Sequence, residues 1–420
     1  MRPHSAMSSF RVDESLCCLA TCNLNQWALD FDGNLERIIQ SIREAKEKGA
    51  KFRLGPELEI SGYSCEDHFL EMDTYIHCDQ SLACILDSGV TCGILCDIGM
   101  PILHNNVRYN CRVFCLDNKI LLIRPKVFMA DDGNYRERRF FTSWKDTGVL
   151  ENHTLSDVLK NANCGLHAGS ARETCVPFGV ATIATMETVI ASEICEELWT
   201  ANSPHIALTL AGVEIICNGS GSHHELRKLN SRLSLIKSAT SKCGGAYLYS
   251  NHRGCDGNRM YFDGCSLVCV NGELVAQASQ FSLKDVEVVA VTVDLNEIRS
   301  YRNGSSSFQE QSSTAKNIPQ IDLRGFSLRV DVGHRNLSYH PNTPIPARIH
   351  IPEEECALGP ACWMWDYLRR SGASGFLLPL SGGADSSSGM TPLYAIYCHL
   401  PNFMARAGTL NYFLPMHSLI

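Results

Sequence analysis

The run LCCLATCNL at 16–24 is apolar without helical spacing, the pattern of a buried strand. The next segment, NLERIIQSIREAKEKG (34–49), changes period. Leu35, Ile38, Ile39, Ile42 and Ala45 fall on one stripe, which predicts an amphipathic helix with Gly49 as its C-cap. A further strand is expected to end at Gly55–Pro56, leaving Glu57 at its C-terminal end. Strand-like runs recur at 111–123, 189–194, 213–217, 246–250, 266–270, 274–278 and 286–293, with a helical stretch at 224–241. Strands and helices mixed in this way predict an α/β protein of two or four layers.

Near Tyr301 the texture changes. RNGSSSFQEQSSTAKN (302–317) is polar and Ser-rich and HPNTPIPARIHIP (340–352) is Pro-rich, so 302–351 reads as a linker between a domain at 16–301 and a second unit at 352–420. That unit opens on Glu353, Glu354 and Glu355, continues into a helix over 357–372, and reaches FLLPL (376–380), a buried strand feeding the turn SGGADSS. Residues 1–15 form an N-terminal extension in which Met7 is an alternative start.

Composition narrows the class. The 420 residues are 45% hydrophobic and 20% charged, as in an ordinary globular protein long enough for two domains. A net charge of −8 speaks against nucleic acid or an acidic membrane as partner. No run approaches the roughly 18–20 apolar residues that span a bilayer, and the first residues lack the apolar core of a signal peptide. The 21 cysteines are an odd number without framework spacing, which predicts mostly buried reduced thiols and a cytoplasmic location. None has the paired spacing of a structural zinc site, so no metal is expected in the first domain.

One cysteine stands out by its surroundings. VIASEI is a strand candidate, and Cys195 follows at the turn, where backbone N–H groups of the next residues can meet an oxyanion. A thiol becomes a strong nucleophile as the thiolate, so it needs a base and a nearby cation. Glu57 in GPELEISGY and Lys126 in LLIRPK are of those types, and each follows an apolar run. In the second unit, SGGADSS offers Gly382 and Gly383 for close backbone approach, and Ser381, Asp385 and Ser386 for polar contacts. At a helix start such a loop is a ready anion site.

Glu57, Lys126 and Cys195, in that order and context, resemble the constellation of the nitrilase (carbon–nitrogen hydrolase) family. That resemblance implies a four-layer α-β-β-α sandwich, with Glu57 as general base, Lys126 stabilising the oxyanion together with the Glu196 N–H, and Cys195 as nucleophile. It further implies that Glu137 positions the lysine, whereas the local residues alone favour an ion pair with Arg136, Arg138 or Arg139. Tyr63, Glu196 and Ser222, the last within NGSGSHHELRK (218–228), are then expected to contact substrate.

SGGADSS resembles the pyrophosphatase-type loop of ATP-using amidotransferases. Joined to a nitrilase-like domain, it is similar to the family of glutamine-dependent NAD synthetases, in which ammonia from glutamine amidates nicotinic acid adenine dinucleotide at the expense of ATP. This implies ATP and Mg²⁺ for the second step, Asp385 acting through the metal, and a homo-oligomer. After Ser388 the sequence departs from that family. Pro392 is expected to cut the loop's helix short, and residues beyond about 389 to be poorly packed, leaving the glutaminase and a fragment of an α/β ATP-pyrophosphatase-type domain. A free-standing amidase on another small amide, and a non-catalytic subunit modulating full-length enzyme, are the alternatives.

Overall fold

Alternate residues of the strand Leu16–Leu24 enter two different apolar cores. Cys18, Ala20, Cys22 and Leu24 pack with Ile38, Ile42 and Ala45 of the helix Phe31–Glu47 and with Cys78 and Leu82 of the helix Met72–Asp87. Cys17 and Leu19 face the other way, into a core shared with Phe52, Leu54, Ala246 and Leu248. The strand Ala246–Cys255 repeats the alternation: Tyr247 and Tyr249 leave that shared core for a third, built with Leu229, Leu233 and Ile236 of the helix Lys228–Cys243. Because a strand sends successive side chains to opposite faces, three cores require four layers. The architecture is an α-β-β-α sandwich, with one core between the sheets and one under each helical layer.

The computed structural model describes residues 15–162, 174–257, 259–330, 340–379 and 381–399. The chain divides into two compact units, Met1–Ile349 and His350–Ile420. Leu16–Leu24 pairs in parallel with Phe52–Leu54 and antiparallel with Val286–Asp294. At its end, Asn23 and Leu24 also pair with Asn251 and His252, which joins the two sheets. Among the described residues no helix is long and apolar enough to cross a membrane.

The predicted helix runs Phe31–Glu47, and Gly49 has a positive φ of 80° just past its end, as the cap requires. The run 111–123 is instead part of a hairpin, Val107–Leu116 and Lys119–Pro125, turned at Asp117 and Asn118 with φ of 50° and 61°. Both residue types tolerate that left-handed conformation, which matches the twist of the flanking strands.

The segment expected as a linker is largely built into the first unit. It carries the helix Ser306–Ser313 and the strand Gln320–Asp322, which pairs in parallel with Thr182–Ala184. Leu328 is fully buried in the inter-sheet core, and its carbonyl accepts from Cys18 N. Further on, Asn342 exchanges hydrogen bonds with Thr292. Polar composition concealed this because a few apolar residues, well placed, suffice to anchor a strap.

In the second unit the helix Pro352–Ser371 closes on Gly372 at φ 69°. FLLPL is no strand among its described residues: 373–379 has no regular structure, and Leu377 is 96% exposed. A lone strand has no neighbour to take its backbone groups or cover its side chains. Pro392 does not cut the next helix short; it lies inside Ala384–His399. A proline removes one N–H donor, and the remaining bonds can carry the helix past it. Of the expectation about packing beyond 389, residues 400–420 lie outside the described residues, as does the N-terminal extension through residue 14.

Candidate active site

Three strand ends deliver the predicted residues. Glu57 follows Phe52–Leu54 through Gly55–Pro56, Lys126 follows Lys119–Pro125 directly, and Cys195 follows Val189–Ile194 directly. All three side chains are buried. Lys126 Nζ donates to Glu57 Oε1 at 2.6 Å and to Glu137 Oε1 and Oε2 at 2.9 and 2.7 Å. Glu57 also accepts from Asn110 Nδ2 at 2.7 Å and from the Gly221 N–H at 2.9 Å. Glu137 thus serves Lys126 rather than the neighbouring arginines, and Arg139 pairs with Asp67 instead.

Burial pushes the Glu57 carboxyl up to about 7, against the lowering effect of Lys126 and with a further push from Glu137. Burial opposes the charge of Lys126, but Glu137 and Glu57 outweigh it and hold the ammonium protonated far above the ordinary lysine range. The Cys195 thiol is pushed up, first by burial and then by Glu57, with Lys126 pulling the other way. Burial thus opposes ionisation of both the Cys195 thiol and the Glu57 carboxyl.

Cys195 opens a single turn of 3-10 helix, Cys195–Leu198, at φ +41°, an uncommon conformation for a non-glycine residue. Its N–H donates to Asn218 Oδ1 at 3.0 Å, and Asn218 is oriented by Tyr247 and Ser220. Glu197 locks the turn in place. One carboxylate oxygen accepts from the Ile194 N–H at 2.7 Å, the other from the Val127 N–H and from Arg124 Nη1. One buried side chain therefore ties the residue before Cys195 to the residue after Lys126.

The expected substrate contacts divide. Tyr63 is buried, and its hydroxyl donates to Glu137, behind Lys126. Ser222 is buried, with its hydroxyl accepting from Arg232 at 3.1 Å. Glu196 is half-buried, its carboxyl raised by burial and lowered in part by Lys126. Asn110, Tyr135, Glu197 and Lys228 were not singled out by sequence reasoning. Lys228 Nζ lies 5.5 Å from the Tyr135 ring centre and 6.0 Å from that of Trp199, and burial lowers its pKa. Its only sequence signal was its place in NGSGSHHELRK. Among the described residues no group of His, Cys, Asp and Glu could hold a metal.

In the second unit, Gly382 has φ +80°, Ser381 Oγ lies 3.2 Å from Ser386 Oγ and 3.4 Å from the Gly383 N–H, and Asp385 sits in the first turn of Ala384–His399.

The sequence pattern of the carbon-nitrogen hydrolases matches residues 18–303. The chain belongs to the carbon–nitrogen hydrolase family. This carbon–nitrogen hydrolase is 53% identical over 398 residues to the glutamine-dependent NAD(+) synthetase of Saccharomyces cerevisiae, covering 94% of the chain and 54% of the yeast protein. It is 52% identical over 382 residues to the Homo sapiens protein of the same name, covering 91% of the chain and 52% of the relative. The chain thus spans about half the length of the curated relatives it matches. Its fold is similar to part of a glutamine-dependent NAD(+) synthetase from Cytophaga hutchinsonii, with a TM-score of 0.69 at 22% identity over 97% of this chain and 56% of that one.

Proposed function

We propose that this carbon–nitrogen hydrolase is a glutaminase whose ammonia serves the ATP-dependent amidation of nicotinic acid adenine dinucleotide to NAD. The observation that carries the reading is Lys126 held between Glu57 and Glu137, with the strand-end thiol of Cys195 in the same electrostatic cluster. The relatives supply the substrates, since proteins more than half identical to the chain are named glutamine-dependent NAD(+) synthetases.

Glu57 takes the thiol proton as Cys195 sulfur attacks the side-chain amide carbon of glutamine. Lys126 meets the oxyanion, and Glu137 keeps it charged and in place. The protonated Glu57 gives its proton to the departing ammonia, then takes one from the water that cleaves the thioester to glutamate and free thiol. A pKa near 7 suits a group that must accept and return a proton at neutral pH. Glu196 and Lys228, which feel each other's charge, are of the right signs for the α-ammonium and α-carboxylate of glutamine. Tyr63 and Ser222 support this wall through Glu137 and Arg232.

The loop at 381–387 is assigned the phosphates of ATP through Ser381, Gly382, Gly383 and Ser386. Mg²⁺ is typically held by one or two carboxylates together with phosphate oxygens. Asp385 fits that requirement and would hold the ion, which neutralises phosphate charge. The assembly is assigned as a homo-oligomer, read by its mass in solution.

The test is incubation of the 420-residue protein with glutamine, with and without ATP and nicotinic acid adenine dinucleotide, assaying ammonia and NAD separately. Ammonia and glutamate in equal amounts are expected. No ammonia from glutamine, or faster release from a simple amide such as acetamide, would overturn the glutaminase assignment. A further arm with free ammonia reads the ATP-dependent step by itself.

A further inference from the structure

Val127, the neighbour of Lys126, and Arg124 also line a cavity of about 460 Å³ within the first unit. That volume is in the range of roughly 300–1,000 Å³ of small-molecule sites. Arg124, Lys145 and Lys316 line it, and among the described residues no Asp or Glu does. Lys145 and Lys316 are exposed, whereas Arg124 is fully buried. Arg124 Nη1 donates to one Glu197 oxygen at 2.7 Å and Nη2 lies 2.7 Å from the other, but its Nε–H has no hydrogen-bond partner among the described residues. A buried guanidinium donor left unused is costly, and an oxyanion is the group whose geometry it fits best.

The charge balance narrows the ligand. Glu197 offsets the charge of Arg124, which leaves the two lysines unmatched within the lining. Two positive charges suit a phosphate monoester, which carries about −1.5 to −2 at neutral pH. The rest of the wall combines apolar and aromatic side chains with the neutral polar Thr147, Asn202, Ser203 and Asn317. Trp144 is buried, fixed by its indole N–H to the Asp146 carbonyl and by edge contacts with Tyr109 and Phe178, and Phe128 is 37% exposed. A rigid aromatic wall beside a cationic group favours a planar ring carrying the phosphate.

We infer that this cavity is a second binding site, taking an aromatic phosphomonoester of mononucleotide size. The inference goes beyond the proposed reaction and does not depend on it. An occupant would be felt at the catalytic cluster, because Glu197, the partner of Arg124, also holds the Ile194 and Val127 N–H groups.

Isothermal titration of the full 420-residue chain with adenosine 5′-monophosphate, in the absence of glutamine, tests this. One saturable site is expected, with adenosine and inorganic phosphate each binding more weakly than the intact nucleotide. Lys145→Glu combined with Lys316→Glu should weaken binding by about tenfold or more, since the charges that meet the phosphate are reversed. Ala207→Trp, at an exposed lining position, should block the cavity while leaving the melting temperature and ammonia release from glutamine unchanged. Asp385→Ala with Ser386→Ala, in the loop of the second unit, should leave this binding intact. No binding by the wild type at millimolar nucleotide would overturn the proposal. So would binding that survives both cavity variants or is lost in the loop variant.

Discussion

Lys126 donates to Glu57 at 2.6 Å, and neither side chain meets solvent. A buried ion pair of this kind costs desolvation on both sides and is weak evidence of stabilisation by itself. Here Lys126 also carries Glu137, so one ammonium faces two carboxylates and the local charge is net negative. Burial is what raises the Glu57 carboxyl to about 7, with Glu137 adding to it against the pull of Lys126, while the two carboxylates outweigh burial at Lys126 and keep it charged.

Cys195→Ala should abolish ammonia release from glutamine, and Cys195→Ser should nearly do so, because an alcohol is far less acidic than a thiol. Cys17→Ala and Cys269→Ala, at buried core positions, should leave turnover largely intact in the fraction that folds. Equal loss in all of them, measured as rate per folded molecule, would mean that nucleophilicity is not being read.

Glu57→Gln should lower turnover by about 10²–10⁴-fold, the usual contribution of a positioned proton-transfer group. The base works only when ionised. With its pKa raised to about 7, wild-type rate should climb as pH rises through that value and level off above it. A profile already flat at pH 5 would show that Glu57 is not the titrating base.

Glu197→Gln should reduce turnover with little change in KM, because the carboxylate holds the Ile194 and Val127 N–H groups next to Cys195 and Lys126 and acts through them. Removing one charge of a buried pair typically costs about 3–5 kcal/mol, so the melting temperature should fall as well. Glu197→Asp, which keeps the charge, should recover more turnover than Gln. Identical behaviour of the two variants would point to lost stability alone.

Leu328→Ala should destabilise the first unit by about 2–5 kcal/mol, as for other large-to-small core changes. The measurement is denaturant unfolding of the intact chain. A cost near zero would mean that the strap around Leu328 is a linker, not part of the inter-sheet core.

What was readable along the chain was what short-range physics decides. The period of 34–49 and Gly49 beyond it define an amphipathic helix and its end, and the apolar runs before Glu57, Lys126 and Cys195 mark strand ends, because side-chain alternation and capping act over a few residues. Other features depended on partners distant in sequence. Whether Glu137 serves Lys126 or an adjacent arginine is decided by the strand that brings Lys126 to it, and Tyr63 meets Glu137 across 74 residues. Glu197 finds the Val127 N–H across 70 residues, and Asn110 reaches Glu57 across 53. The strand Gln320–Asp322, with one apolar residue in three, exists because an edge at Thr182–Ala184 accepts it, whereas the more apolar stretch 376–379 pairs with no strand among the described residues and leaves Leu377 exposed. Strand pairing and buried charge are settled by what packs alongside, and only the folded sandwich supplies those neighbours.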